Sequence, residues 1–202
     1  AASQFVVVDS QVHTGYGFAG MNVQGCRVQI VSSMVGFGLA GHAIVADNTS
    51  DLRLLGSTSL IAPTSAHAIY GYPTVRRAST VSVTGLVQAG SMVTVADESL
   101  SGTGGALGGS VSATLNGANG NIALLVLGVS ASPVFVPGIL DAWWLDPAAS
   151  ASVGLAVQSG PLASTVPIPL APTLQGQVFG FQGLFLTPTS LSVSNPHRFV
   201  IH

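Results

Sequence analysis

The five histidines, at positions 13, 42, 67, 197 and 202, are the side chains of this sequence best suited to bind a metal ion. None of them has the His-x-His or His-x-x-x-His spacing of a ligand pair. His42 and His67 occur in matching contexts, Gly-His-Ala-Ile and Ala-His-Ala-Ile. If they lie on neighbouring strands, they could face each other and, with Asp47, bind a metal. The absence of a ligand motif favours hydrogen-bonded strand histidines instead, so we predict no metal and no cofactor.

The acidic and nucleophilic residues form no catalytic motif. Glycoside hydrolysis needs two opposed carboxyl groups, but Asp97 and Glu98 are adjacent and would point to opposite faces of a strand. No Gly-x-Ser-x-Gly run marks a serine hydrolase, and the glycine-rich segment 102–109 runs into a strand rather than into a phosphate-binding helix. Cys26, the one cysteine, lies in an apolar run typical of a buried strand. The sequence therefore predicts a protein that is not an enzyme.

Two consecutive tryptophans, Trp143 and Trp144, are the candidate ligand-contact aromatics. Sugar-binding modules display indole or phenol rings on an open face. On a strand, consecutive side chains alternate, so we expect one of the two rings in the core and one outside. A second aromatic group lies nearer the amino end of the sequence, at Tyr16, Phe18, Tyr70 and Tyr72.

Charge is nearly absent from the whole chain. Charged residues make up 6% of it, with five Arg, no Lys, seven Asp or Glu and a net charge of −2, whereas about 25% is usual. Such a chain has no basic surface for nucleic acid or for anionic lipid. Weakly charged surfaces repel one another little, which favours association between copies.

The pattern of apolar residues predicts an all-β protein. Val, Ile, Thr and Phe collect in short runs bounded by Gly, Pro, Asn and Ser, and no segment has a helical period. We expect a β-sandwich or jelly-roll-like fold in two units. Residues 1–85 would form an amino-terminal β unit, and residues 86–202 a sandwich of seven to nine strands. The apolar segment 122–140 is interrupted by Pro133 and Pro137, which favours strand, turn and strand over a membrane span.

The carboxy-terminal half has a recognisable order of segments. They are IALLVLGVSAS, VPGIL, WLDP, STVPIPLAP, LQGQVFGFQGLFL and SVSN. In this order they resemble the carboxy-terminal β-sandwich modules of large secreted proteins from planctomycete-type bacteria, over residues 90–202. Such modules have an apolar residue before the Asp-Pro pair, here Trp143, Trp144 and Leu145. The resemblance implies an extracytoplasmic location and a non-catalytic role, and it does not cover residues 1–85.

We therefore predict an extracellular or cell-surface structural subunit that assembles with itself into a filament or surface layer. The small residues Ala1 and Ala2 suit the end left by signal-peptide removal. The candidate donor strand for a neighbouring copy lies in FVVVDSQV, with Phe5, Val6, Val7, Val8 and Val12, and the segment 198–201 is the second choice. The alternative is an adhesin or a carbohydrate-binding module that contacts surface glycans through Trp143 and Trp144.

Asn48-Thr49-Ser50 has the form of a glycosylation acceptor. Its polar residues follow Asp47, and such clusters favour turns. We therefore interpret the segment as an ordinary turn.

Overall fold

The computed structural model describes residues 3–13, 18–36, 41–139, 141–188 and 190–202. The chain forms two compact units, Ala1–Asp97 and Glu98–His202, which we call the solenoid unit and the antiparallel unit. Strands at 86–87 and 91–95 pair with strands of the first unit.

Short strands repeat along the solenoid unit in sets of three. They are β1 (Ser3–Val8), β2 (Gln11–His13), β3 (Met21–Val23), β4 (Cys26–Val31), β5 (Met34–Gly36), β6 (Ile44–Ala46), β7 (Asp51–Leu55), β8 (Ser59–Ile61), β9 (His67–Gly71), β10 (Thr74–Ala78), β11 (Ser82–Thr84), β12 (Leu86–Val87) and β13 (Ser91–Val95). Every third strand joins the same sheet, in the orders β1-β4-β7-β10-β13, β2-β5-β8-β11 and β3-β6-β9-β12. All of these pairs are parallel. The chain therefore winds as a β-solenoid with three strands in each coil.

The strand register sets the length of each coil. Ser3 pairs with Cys26, 23 residues on, and Met34 pairs with Ser59, 25 residues on. Because equivalent positions stack, apolar residues form columns through the interior. One such column is Phe5, Val28, Leu52, Val75 and Met92, whose middle three side chains are fully buried.

The predicted jelly-roll-like sandwich is wrong, because the solenoid unit is built from parallel strands. Alternation of apolar and polar residues identifies a strand but not the strand it pairs with. In β4, Val28 and Ile30 are buried, and so is Gln29 between them. Such continuous burial is typical of parallel sheets, which are covered on both faces. The short loops were compatible with hairpins, but they turn the corners of a coil instead.

The antiparallel unit contains two sheets. Its strands are β14 (Leu100–Gly102), β15 (Ser110–Leu115), β16 (Ile122–Val134), β17 (Trp143–Val157), β18 (Leu162–Pro167), β19 (Val178–Leu186), β20 (Leu191–Val193) and β21 (His197–Val200). One sheet has the order β14-β15-β18, and the other has the order β17-β16-β19-β20, with β21 also pairing β19. A 3-10 turn, Pro172–Leu174, separates β18 from β19. Both sheets contribute to one apolar core, which includes Leu115, Leu125, Phe181 and Phe185.

The apolar segment at 122–140 begins with β16, a strand of 13 residues that pairs with β17 and β19. Over the described ranges, no helix is long and apolar enough to cross a membrane.

Candidate functional site

The first corner of each of the first three coils places a residue in the left-handed backbone region. Asp9, Ser32 and Gly56 have φ values of 46°, 47° and 61°. Glycine adopts this conformation without strain, and Asp and Ser are less suited to it. At the equivalent position in three successive coils, the chain therefore bends sharply from the first sheet into the second.

Hydroxyl side chains stabilise this corner from inside. We call Ser10, Ser33 and Thr58, which occupy equivalent positions in successive coils, the hydroxyl ladder. The Ser10 N–H donates to Ser33 Oγ at 3.1 Å, and the Ser33 N–H donates to Thr58 Oγ1 at 3.4 Å. The Thr58 hydroxyl in turn donates to the Leu55 carbonyl at 2.6 Å. The hydroxyl ladder thus provides hydrogen-bond acceptors for the Ser10 and Ser33 N–H groups, which lie outside the strands.

Sequence reasoning missed the hydroxyl ladder. Its signal was present, because a hydroxyl residue recurs at 10, 33 and 58 with the spacing of one coil. The next coil has Val81 at the equivalent position, which is also buried. Asp97 adds two further hydrogen bonds at these corners. Its carboxylate accepts the Gly56 N–H at 2.7 Å and the Thr80 hydroxyl at 3.3 Å.

His42 and His67 face each other, as their matching contexts suggested. Their ring centroids are 5.2 Å apart, and the His67 backbone N–H donates to His42 Nδ1 at 3.0 Å. The Tyr70 ring stacks on His42 at 4.6 Å, nearly parallel. Burial lowers the pKa of His42 below its usual range, and the neighbouring His67 lowers it further. His42 therefore favours its neutral form, in a stack with the Tyr70 ring.

Asp47 is engaged in the turn at 47–50. Its carboxylate accepts the Gly25 N–H at 3.0 Å, the Thr49 hydroxyl at 2.9 Å and the Ser50 hydroxyl at 2.6 Å. These hydrogen bonds, chiefly the one from Ser50, lower the pKa of Asp47 to about 2. Asn48 lies exposed in the same turn. Within the described part of the chain, no group of three or more His, Cys, Asp or Glu side chains is placed to hold a metal ion.

The five donor-strand candidates lie in the first coil of the solenoid. Phe5, Val6, Val7 and Val8 belong to β1, which pairs in parallel with β4 of the same chain. Val7, Val8 and Val12 pack against the core, while Phe5 is 58% exposed. A donated β1 would have to leave its own sheet, and donation stays a prediction. The second choice, 198–201, overlaps β21, which pairs with β19.

The solenoid unit has a free strand edge where the chain leaves it. Among the described residues, β11, β12 and β13 are the last strands of their sheets and are paired on one side only. None of the three contains a charged residue. Four large apolar side chains are exposed along them, namely Leu86, Val87, Met92 and Val93.

Both tryptophans of β17 are half-buried. The Arg198 guanidinium carbon lies 4.9 Å from the centroid of the Trp144 ring, and an Arg198 N–H donates to the Ala131 carbonyl at 3.0 Å. A cation already occupies that ring face, which leaves less of it for a sugar. The most exposed aromatic ring nearby in sequence is Phe135. In the other aromatic group, Phe18, Tyr70 and Tyr72 are exposed, and Tyr16 lies outside the described residues.

Two buried amides hold the antiparallel unit together. Gln182 accepts the Trp144 N–H at 2.9 Å and donates to the Ala142 and Ser194 carbonyls at 2.9 and 3.1 Å. Asn195 accepts the Leu100 N–H and donates to the Leu100 carbonyl, both at 2.8 Å. Each side chain thus links its own segment to the backbone of a segment that is distant in the chain or across the sheet.

No family model and no curated protein matches the chain. Among the solved structures that match is the crystal structure of Spo0M, a sporulation control protein from Bacillus subtilis. It is 13% identical with a TM-score of 0.28, over 52% of this chain and 49% of that chain. The match spans about half the length of Spo0M, and similarity at this level says nothing about what this chain does.

Proposed function

We propose that this chain is a non-catalytic structural subunit that associates with further copies of itself through the free edges of its solenoid unit. The observation that carries the proposal is the edge formed by β11, β12 and β13, which has exposed apolar side chains and no charge. Natural edge strands are normally protected by charged residues, proline, bulges or a covering segment. An edge without charges is suited to pairing with another strand.

The interior column of the solenoid supports a second copy as the partner. The column is buried at Val28, Leu52 and Val75, but its two ends, Phe5 and Met92, are 58% and 42% exposed. Phe5 lies on β1, which among the described residues pairs only with β4 and has no charged residue. If β1 of one copy lies beside β13 of the next, Phe5 follows Met92 and the column continues across the contact.

This geometry predicts the form of the assembly. All strands of the solenoid unit run parallel, so β1 of one copy and β13 of the next can pair in the same direction. Such a contact is heterologous, because it joins two different surfaces, and it repeats without closing unless the rotation forms a ring. Pairing of β13 with β13 would instead give a closed dimer. We expect filaments. The extracellular location that we propose for them is supported by the resemblance of residues 90–202 to modules of secreted proteins.

Charge substitutions at the two column ends test the proposal. A buried, unpaired lysine at a contact is strongly unfavourable, so Met92→Lys and Phe5→Lys should each convert polymers to monomers. Leu155→Lys, at a position 69% exposed in the antiparallel unit, is the matched control. Sedimentation velocity and electron microscopy measure the size and form of the particles. Monomeric wild-type protein at all concentrations, or polymers unchanged in both variants, would refute the proposal.

A cysteine pair tests the register. Phe5→Cys and Met92→Cys in one chain should form an intermolecular disulfide, since stacked positions of adjacent strands lie about 4.8 Å apart, within the Cα range of a disulfide. Cross-links that need only Met92→Cys would indicate β13–β13 dimers. If β1 is instead exchanged between copies, Phe5→Cys should form an intermolecular disulfide with a cysteine placed at Val28.

A further inference from the structure

The antiparallel unit contains an apolar cavity between its two sheets. Its volume is about 220 Å³. It lies where β15 and β18 of one sheet face β16, β19 and β21 of the other. The lining consists of Val111, Leu127, Val166, Pro167, Ile168, Pro169, Leu174, Phe179, Phe199 and Ile201.

The chemistry of the lining determines what the cavity can hold. Every lining residue has an apolar side chain, so a water molecule inside would lack the two to four polar partners that hold buried water in place. A purely apolar engineered cavity of about 150 Å³ stays dry and binds benzene. Phe179 and Phe199, with ring centroids 6.3 Å apart, add an aromatic wall. An apolar molecule therefore gains contacts here without displacing ordered water.

The backbone around the cavity argues against a peptide strand as the occupant. The Ile168 N–H donates to the Gly109 carbonyl at 2.9 Å, and the Ile168 carbonyl accepts the Gly108 N–H at 3.1 Å. Ile201 likewise donates to Gln177 and accepts from Gly176. A strand added at these positions would find no free donors or acceptors for a ladder. An occupant must bind by apolar contact alone.

We propose that this cavity binds a small apolar molecule, or the apolar end of an amphiphile whose polar head stays in solvent. By proportion with the six carbons of benzene in about 150 Å³, it holds on the order of nine carbon atoms. Pro167 and Pro169 are exposed at the rim, so the cavity is open on one side. The same chemistry describes a linear acyl chain and a cyclic terpenoid.

A series of linear alcohols from hexanol to dodecanol tests the proposal on the full chain. Isothermal titration calorimetry gives each affinity. Each added methylene should raise affinity about fourfold until about nine carbons are buried, and longer chains should gain little. Comparing decanol with menthol, both of ten carbons, distinguishes the linear source from the cyclic one. Absence of saturable decanol binding with one site per chain would overturn the proposal.

Variants that fill the cavity test its position. Val166→Phe and Leu174→Phe add a ring at half-buried lining positions and should each weaken decanol binding at least tenfold. Leu155→Phe, which enlarges an exposed apolar residue outside the cavity, should leave binding unchanged. Far-ultraviolet circular dichroism checks that each variant is folded, and two filling variants are made so that one folded variant suffices. A folded filling variant that retains wild-type affinity refutes the assignment.

Discussion

The Gln182 side chain is expected to be one of the most sensitive polar positions of the antiparallel unit. It is fully buried and forms hydrogen bonds with three backbone groups, of Trp144, Ala142 and Ser194. Methionine has a similar length and shape but provides no comparable donor or acceptor. Gln182→Met therefore keeps the packing and removes the three hydrogen bonds.

The expected loss follows from the groups left behind. The Trp144 N–H and the Ser194 carbonyl would each lose the hydrogen bond with Gln182. A buried polar group without a partner costs about 1 to 3 kcal/mol. At the lower limit these two groups together destabilise the unit by about 2 kcal/mol. With a urea m value of about 2 kcal/mol/M, the unfolding midpoint should fall by about 1 M.

Tryptophan fluorescence measures this unit selectively, because both tryptophans of the chain, at 143 and 144, lie within it. Gln175→Met is the matched control, since Gln175 is exposed in the same segment of the chain. The control should change the midpoint by less than about 0.3 M, as surface substitutions usually do. A Gln182→Met midpoint within that same range would refute the reasoning that the amide network stabilises the unit.

Three further predictions concern the solenoid unit. Thr58→Val should destabilise the solenoid unit by about 1 to 3 kcal/mol, because the Ser33 N–H loses its acceptor. Hydrogen exchange should become faster in residues 26–61, and unchanged exchange would contradict the prediction. Because the pKa of His42 is lowered, the folded state favours the neutral imidazole ring. The contribution of His42 to the free energy of unfolding is therefore present above pH 6.5, and it is lost as the pH falls from 6.5 through the lower pKa of the folded state. Between pH 7.5 and pH 5, the urea midpoint should therefore fall less in His42→Gln than in the wild-type protein. An equal fall in the two proteins would contradict this prediction. Gly36→Ala should prevent folding, because φ is +111° and a Cβ would collide with the Ile61 carbonyl oxygen. At Gly25, also left-handed, a Cβ would make only an ordinary contact with Thr49 Oγ1 at 3.7 Å, so Gly25→Ala should cost only about 1 to 2 kcal/mol. Circular dichroism of both variants tests this, and a folded Gly36→Ala protein would disprove the clash.

Local sequence was enough to predict strands but not their partners. The matching contexts of His42 and His67 were visible in the sequence, and they belong to successive coils of the solenoid. Three identical residues in a stretch of four were too few to establish a repeat, because most positions of a coil need only be apolar and about the right size. The hydroxyl residues at 10, 33 and 58 repeat with the same spacing, but Ser and Thr are so common in this chain that the spacing was not distinctive.

The sites depended on contacts between residues far apart in the chain. No local motif distinguishes Gln182 from the other glutamines of the chain. Its partners at 142 and 144 are about forty residues away, and no pattern near Gln182 could indicate them. Trp144 was identified as a candidate contact residue, but Arg198 over its ring became evident only from the pairing of distant strands. The apolar cavity likewise needs residues from both sheets.

The sequence by itself determined the low charge, the strand-rich composition and the absence of a recognisable catalytic motif, because these depend on residue types and local order. Tertiary structure alone decided that the first strands stack in parallel, that a hydroxyl ladder stabilises their corners, and that the antiparallel sheets leave a cavity. Strand pairing is decided by which surfaces are buried together, and that is a property of the whole chain. The same alternating runs could have formed hairpins, and only the stacking of apolar columns such as Val28, Leu52 and Val75 selects the solenoid.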